Sequence, residues 1–289
     1  MSKHYEAPYE VRELEKLITD FTYQNGLETR NVFTDFLRYI VHGCFLPNIS
    51  PPTDWGYTPE QGEVFGRMFL TWAKIMDKKT AVKGWFDAFG DLYMALTSKR
   101  GQQDHGQFFT PAHMCDLMSE ITAGDGKTEI GSAIYDPACG SGRNLLSANY
   151  KSPKNYLVGW DIDYTCCLMT VCNFFIHGCV GEVVCINTLT MRDFRGAWLV
   201  NEALYRTGLP SIRHLTEEEY TRFQRAKIPH YVHFLDQEAY DQYFKWRNVW
   251  QTITNLFPND TTSNSGAEES PDENQSTEPG SASDDIGTP

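Results

Sequence analysis

The run Ser132-Ala133-Ile134-Tyr135-Asp136-Pro137-Ala138-Cys139-Gly140-Ser141-Gly142 opens on apolar residues, reaches an acid and then breaks into small residues. A helix-forming pattern, Asn144-Leu145-Leu146-Ser147-Ala148, follows at once. A strand, an acidic tip, a glycine turn and a helix in that order make a crevice that a nucleoside-bearing ligand can enter without meeting side chains. Outward from this point, strand patterns at 133–135, 156–160, 183–186 and 197–200 alternate with helical ones. The helical stretch 164–176 has Gly178 as its stop. Alternation of this kind predicts a parallel α/β sheet across residues 105–204.

Residues 1–104 read as a helical N-terminal region. Val11, Leu14, Ile18 and Phe21 recur at helix spacing, as do Val32, Phe36, Tyr39 and Ile40. Thr58-Pro59-Glu60-Gln61 carries a helix start, with Thr58 as cap and Gln61 able to reach back. The stripe Trp85, Phe86, Phe89, Leu92, Tyr93 and Leu96 reads as helix-packing core. Residues 205–257 read as a helical C-terminal segment. Thr216 and Glu219 form a capping box, 227–235 reads as extended, and Tyr243, Trp246, Trp250 and Ile253 recur at helix spacing. Residues 258–289 are polar, hold eight acids and no Lys or Arg, and are expected to be a disordered acidic tail.

The formal charge of −13 is therefore largely a property of the tail, and the body is only mildly acidic. It lacks the basic footprint of a stand-alone nucleic-acid binder. Arg222, Arg225, Lys227, His230 and His233 read as a solvated face rather than a nucleic-acid contact. Eight cysteines without a C-x-x-C pair argue for reduced, buried thiols in a cytoplasmic protein, and no metal site is expected. With no run of 18 apolar residues, no membrane span is expected either.

The glycine turn, taken with Gly106-Gln107-Phe108-Phe109-Thr110-Pro111 upstream, resembles the start of an adenine-N6 DNA methyltransferase of the type I restriction-modification kind. That resemblance implies a Rossmann-like, S-adenosylmethionine-dependent core in 105–204, here truncated. G-x-G-x-x-G spacing fails because Leu145 stands in the third position, so a nicotinamide site is not expected. By resemblance the cofactor-binding residues are Gln107, Phe109, Thr110, Asp136, Pro137, Gly140, Gly142, Asp161, Ile162 and Asn187. Asp136 would face the methionyl amine, Asp161 the ribose hydroxyls, Ile162 the adenine, and Asn187 the adenine amino group. The free N–H groups of the helix after Thr110-Pro111 would meet the ligand carboxylate. Asp163 fits a helix cap better than Asp161 does.

The family's Asn-Pro-Pro-aromatic element is absent from this chain. Trp198-Leu199-Val200-Asn201-Glu202-Ala203-Leu204 stands at the expected place. The expected catalytic groups are Asn201 and the Glu202 backbone carbonyl, holding the target amine of a flipped adenine. Two functions follow: methyl transfer to adenine N6 in DNA with help from another subunit, or cofactor and partner binding without catalysis. A protein partner completing the fold is expected in either case.

Overall fold

A computed structural model describes residues 6–43, 55–98, 109–123 and 131–226. Four helices come first: α1 (Arg12–Asn25), α2 (Thr29–Gly43), α3 (Pro59–Lys83) and α4 (Ala88–Ser98). The apolar periodicity settles their packing. Leu14, Ile18 and Phe21 of α1 are buried, as are Val32, Phe33, Phe36, Leu37 and Ile40 of α2. The helix start in α3 has the expected chemistry: Thr58 Oγ1 accepts from Gln61 N–H, and the Gln61 side chain accepts from Thr58 N–H. α5 (Ala112–Ala123) begins directly after Thr110-Pro111.

The α/β part runs β1 (Ala133–Asp136), α6 (Arg143–Lys151), β2 (Tyr156–Asp161), α7 (Tyr164–His177) and β3 (Gly181–Asn187). It continues with β4 (Arg192–Val200), α8 (Leu204–Thr207), β5 (Ile212–Leu215) and α9 (Glu217–Ala226). β1, β2 and β3 are parallel neighbours, joined by α6 and α7. α7 is buried from Thr165 to Ile176, on every side. A helix apolar all round belongs in the middle of a fold. α7 lies between the sheet and α2, so the helical region and the sheet share one hydrophobic core from Ala7 to Ile212. Asp163 caps α7, accepting from Cys166 N–H at 3.0 Å, and Gly178 closes it at φ 65°. Thr216 and Glu219 make the reciprocal cap of α9.

Two expectations fail, since a strand, β5, also interrupts the 205–257 segment read as helical. The sheet is not parallel throughout: β4 pairs antiparallel with β3, and β5 antiparallel with β4. Only Thr188–Met191 joins β3 to β4, whereas a parallel crossover needs a dozen residues or more. Four residues make a hairpin and nothing else. Among the described residues the strand order is therefore β1-β2-β3-β4-β5, with β1 at one edge. β5 itself carried no clear pattern in the sequence, having buried Ile212 and Leu215 around exposed Arg213 and His214. The 227–235 and 243–253 patterns and the acidic tail lie outside the described residues.

Among the described residues no helix is long and apolar enough to cross a membrane. Nor do three or more His, Cys, Asp or Glu side chains gather there as for a metal ion. The seven described cysteines are free and buried.

Candidate functional site

The glycine turn sits at the carboxyl end of the parallel strands, folded over the tip of β2. Cys139 N–H donates to Trp160 O at 2.9 Å, and Gly140 N–H donates to Asp161 Oδ2 at 2.8 Å. Gly140 and Gly142 stand at φ 56° and 85°. A Cβ on Gly140 would lie 3.0 Å from the Phe109 ring, and one on Gly142 would lie 3.0 Å from Thr170 Cγ2. Glycine is required at both places by left-handed backbone and by close neighbours together.

Asp136 and Asp161 come to the same pole. Asp136 pairs with Gly159 in the register of β1 and β2, two residues short of Asp161. Asp136 Oδ1 accepts from Ala138 N–H at 3.1 Å, and Oδ2 from Asn144 Nδ2 at 3.3 Å. Asp161 Oδ1 accepts from Asp163 N–H at 2.8 Å. Burial pushes the Asp161 carboxyl above the usual carboxylate range, against the pull of the Asp163 and Gly140 N–H groups. Asn144 Oδ1 is buried without a hydrogen-bond partner. An orphaned acceptor on a side chain that bonds a strand-tip carboxylate suits a ligand that brings N–H donors.

Of the other expected cofactor residues, Phe109 lies over Gly140 and 5.6 Å from the Tyr93 ring, centroid to centroid. Thr110 and Pro137 flank the same corner in sequence, and Thr110 O accepts from Arg143 Nη1 at 3.4 Å. Ile162 is 56% exposed beside Asp161, free to meet a planar ligand. Asn187 ends β3, and its Oδ1 is turned inward on its own loop, accepting from Leu189 and Thr190 N–H at 3.1 and 3.3 Å. Gln107 lies outside the described residues.

Asn201 and Glu202 are not brought to this pole. β4 runs against β3, so Val200 pairs with Gly181, at the start of β3, while Cys185 near its end pairs with Asp161. About five residues at ~3.3 Å each separate Asn201 from the glycine-turn end of the sheet, roughly 16 Å. Asn201 is fully buried at φ 57°. Its Nδ2 donates to Phe174 O, Phe175 O and Cys179 O at 3.1, 3.4 and 2.9 Å, and its Oδ1 accepts from Ser211 N–H at 3.2 Å. It stitches the end of α7 to β5. Glu202 forms a bidentate ion pair with Arg213 at 2.9 Å. The expected catalytic arrangement presumes a parallel fourth strand, and the short 188–191 connection forbids it.

The site also contains a residue that sequence reasoning missed. Asp87, immediately before α4, is 3% exposed. Its Oδ1 accepts from Gly90 N–H at 2.7 Å and Asn173 Nδ2 at 2.8 Å; its Oδ2 accepts from Ser141 Oγ and Arg143 Nε, both at 2.5 Å. Arg143 also donates to Asp91 Oδ1 at 2.5 Å and lies 5.7 Å from the Phe109 ring centre. Burial disfavours the guanidinium charge, but Asp87 and Asp91 outweigh it and hold the Arg143 pKa above its ordinary value. The available signal was two acids, 87 and 91, at i and i+4 within an otherwise apolar stripe.

The family comparison falls on the segment that holds this site. Residues 85–201 match the family model for N-6 DNA Methylase. The "Type I restriction enzyme MpnII methylase subunit" of Mycoplasma pneumoniae is 29% identical over 136 residues, covering 43% of this chain and 25% of that protein. The chain thus spans about a quarter of the length of this curated relative. A crystal structure of the methyltransferase subunit of a type I restriction-modification system from Streptococcus thermophilus aligns over 61% of this chain and 39% of that one. Its identity is 20% and its TM-score 0.30. The resemblance to the N-6 DNA methylase family is shown for residues 85–201.

Proposed function

We propose that this chain binds S-adenosylmethionine in a Rossmann-like crevice formed by Asp136, the 140–142 turn and Asp161, and that it serves adenine-N6 methylation of DNA. The observation that carries the reading is the closure of Gly140 N–H onto Asp161 Oδ2, which brings turn and acid together at one strand pole. The residues present fit the group. Asp136 and the orphaned Asn144 Oδ1 are acceptors suited to a methionyl ammonium. Asp161 is an acceptor suited to ribose hydroxyls, and exposed Ile162 suits an adenine face. When bound, S-adenosylmethionine supplies the activated methyl group. What this chain contributes is orientation: two carboxylates fix the ends of the ligand, and the side-chain-free turn allows its close approach.

The placement of Asn201 favours a second reading, in which the isolated chain holds the cofactor while a partner contributes the groups that grip the adenine. Its amide is committed to three carbonyls at the opposite pole. DNA, a further subunit and a cytoplasmic location complete the proposal, and the free, buried thiols of the described residues support the last of these.

Equilibrium dialysis of the full chain with labelled S-adenosylmethionine, competed by unlabelled S-adenosylhomocysteine or NAD, tests the cofactor assignment. Displacement by the homocysteine and none by NAD is expected. Displacement by NAD, or no retention at all, would remove it. The label then tests the second reading: incubation with unmethylated DNA should leave the isolated chain without methyl transfer, and efficient transfer would exclude that reading.

A further inference from the structure

The 87–143 cluster goes beyond the family's sequence motifs: it joins a residue outside the α/β part to the turn itself. One carboxylate, Asp87, receives four donors from four places: Gly90 on α4, Ser141 in the turn, Arg143 at the start of α6, and Asn173 in α7. Both oxygens receive two each, so the carboxylate is saturated. Its seat is made by a missing side chain: a Cβ on Gly90 would stand 2.0 Å from Asp87 Oδ2. Asn173 Nδ2 also donates to Ser141 O at 2.8 Å, and Thr170 Oγ1 donates to Gly140 O at 2.8 Å. The turn is thus gripped from beneath by α7, from one side by Asp161, and from the other by Asp87. Ser141 and Arg143 bracket Gly142, whose left-handed φ of 85° sets the direction in which the chain leaves the turn.

We infer that Asp87 is a positioning residue for the glycine turn, setting the geometry of the ligand crevice through Ser141 and Arg143 without touching the ligand. This rests on the S-adenosylmethionine reading for its functional consequence, but not for its structural one. A charge is needed at this position. A neutral amide offers one acceptor oxygen where the native group offers two, and it turns an N–H toward the donors of Ser141 and Arg143 or of Gly90 and Asn173. An arginine left in place with half its neutralising partners pulls away from the turn or draws water beneath it.

The test uses the full chain. Asp87→Asn is compared with Leu14→Ala, a truncation in α1 outside this cluster that also lowers stability. Amide hydrogen exchange is followed at Gly140 and Gly142, whose N–H groups are bonded to Asp161 and Cys139 O. Asp87→Asn should speed exchange at these two amides at least tenfold under conditions where Leu14→Ala does not. It should also weaken S-adenosylmethionine binding at least tenfold where Leu14→Ala changes it less than twofold. Unchanged protection of the turn in Asp87→Asn, or an equal change in both variants, would overturn the inference. If Asp87→Asn does not fold, Ser141→Ala removes one arm of the clamp while keeping the buried charge pair, and the same two amides report. If the wild type binds no cofactor, the cofactor reading fails while the exchange result still decides this one.

Discussion

Replacing Asn201 by alanine separates a structural role from a catalytic one. The side chain satisfies Cys179 O and Ser211 N–H, together with two carbonyls in the last turn of α7, Phe174 O and Phe175 O. The α7 carbonyls keep a second donor each, Cys179 N–H for Phe174 O and Gly178 N–H for Phe175 O. Buried Cys179 O loses its side-chain partner at ~1–3 kcal/mol, and the part-buried Ser211 N–H loses its own at about 1 kcal/mol. The backbone at φ 57° adds about 1 kcal/mol for alanine, which tolerates the left-handed region less well than asparagine. The sum is roughly 4 kcal/mol, a large share of the ~5–15 kcal/mol of a typical domain. Asn201→Gly should be about 1 kcal/mol milder because the strain is absent. Asn201→Asp should be the worst of the three, since it sets a carboxylate against three carbonyls. Urea unfolding followed by circular dichroism reads these differences. S-adenosylmethionine binding, measured well below the unfolding midpoint, should stay within twofold of wild type. A variant as stable as wild type that loses methyl transfer or cofactor binding would refute this account of Asn201.

Three further outcomes follow. Burial lowers the His177 pKa to about 4, against smaller opposing effects from Asn173 O and Asp87. The unfolded chain therefore takes up this proton near pH 6.5 and the folded chain only near 4. Stability from this group is complete above about pH 6.5 and is lost as pH falls toward 4, by at most ~3 kcal/mol. His177→Gln should flatten that part of the stability profile, and an unchanged slope would contradict the assignment. Gly142→Ala forces alanine to φ 85° with its Cβ 3.0 Å from Thr170 Cγ2. It should cost about 1–3 kcal/mol in thermal or urea unfolding; a neutral effect would mean that the turn relaxes freely. Glu202→Ala breaks an ion pair whose side chains are about half exposed. It should change stability by less than ~1 kcal/mol and leave cofactor binding alone, and a large loss in either would contradict the reading of this side chain as a solvent-screened ion-pair partner.

Much of the fold was legible because burial imposes periodicity. The helices α1 to α4, the α7 cap at Asp163, its stop at Gly178 and the first three strands all follow from apolar spacing and turn chemistry. The glycine turn was legible for a different reason: a left-handed turn closed against Phe109 and Thr170 needs residues without a Cβ, and their order survives in one dimension. The direction of β4 was missed because strand composition is blind to it. Ala197–Val200 reads the same whether it runs with β3 or against it, and only the length of the 188–191 connection decides. The placement of Asn201 was not legible for a related reason, since an amide at a strand end suits a base-gripping loop and a buried left-handed turn equally. Asp87 was hidden because its four donors lie up to 86 residues away in sequence, and no local pattern records such a contact.

The most direct test of the central claim is isothermal titration of the intact chain with S-adenosylmethionine, run beside Asp161→Ala. A crevice built as described here binds the wild type with measurable heat at a single site. The variant, having lost the acid proposed to face the ribose and the carboxylate that holds Gly140 N–H, should bind at least tenfold more weakly. No heat with the folded wild type, or equal affinity in the two proteins, would contradict the assignment of this pole of the sheet as the cofactor site.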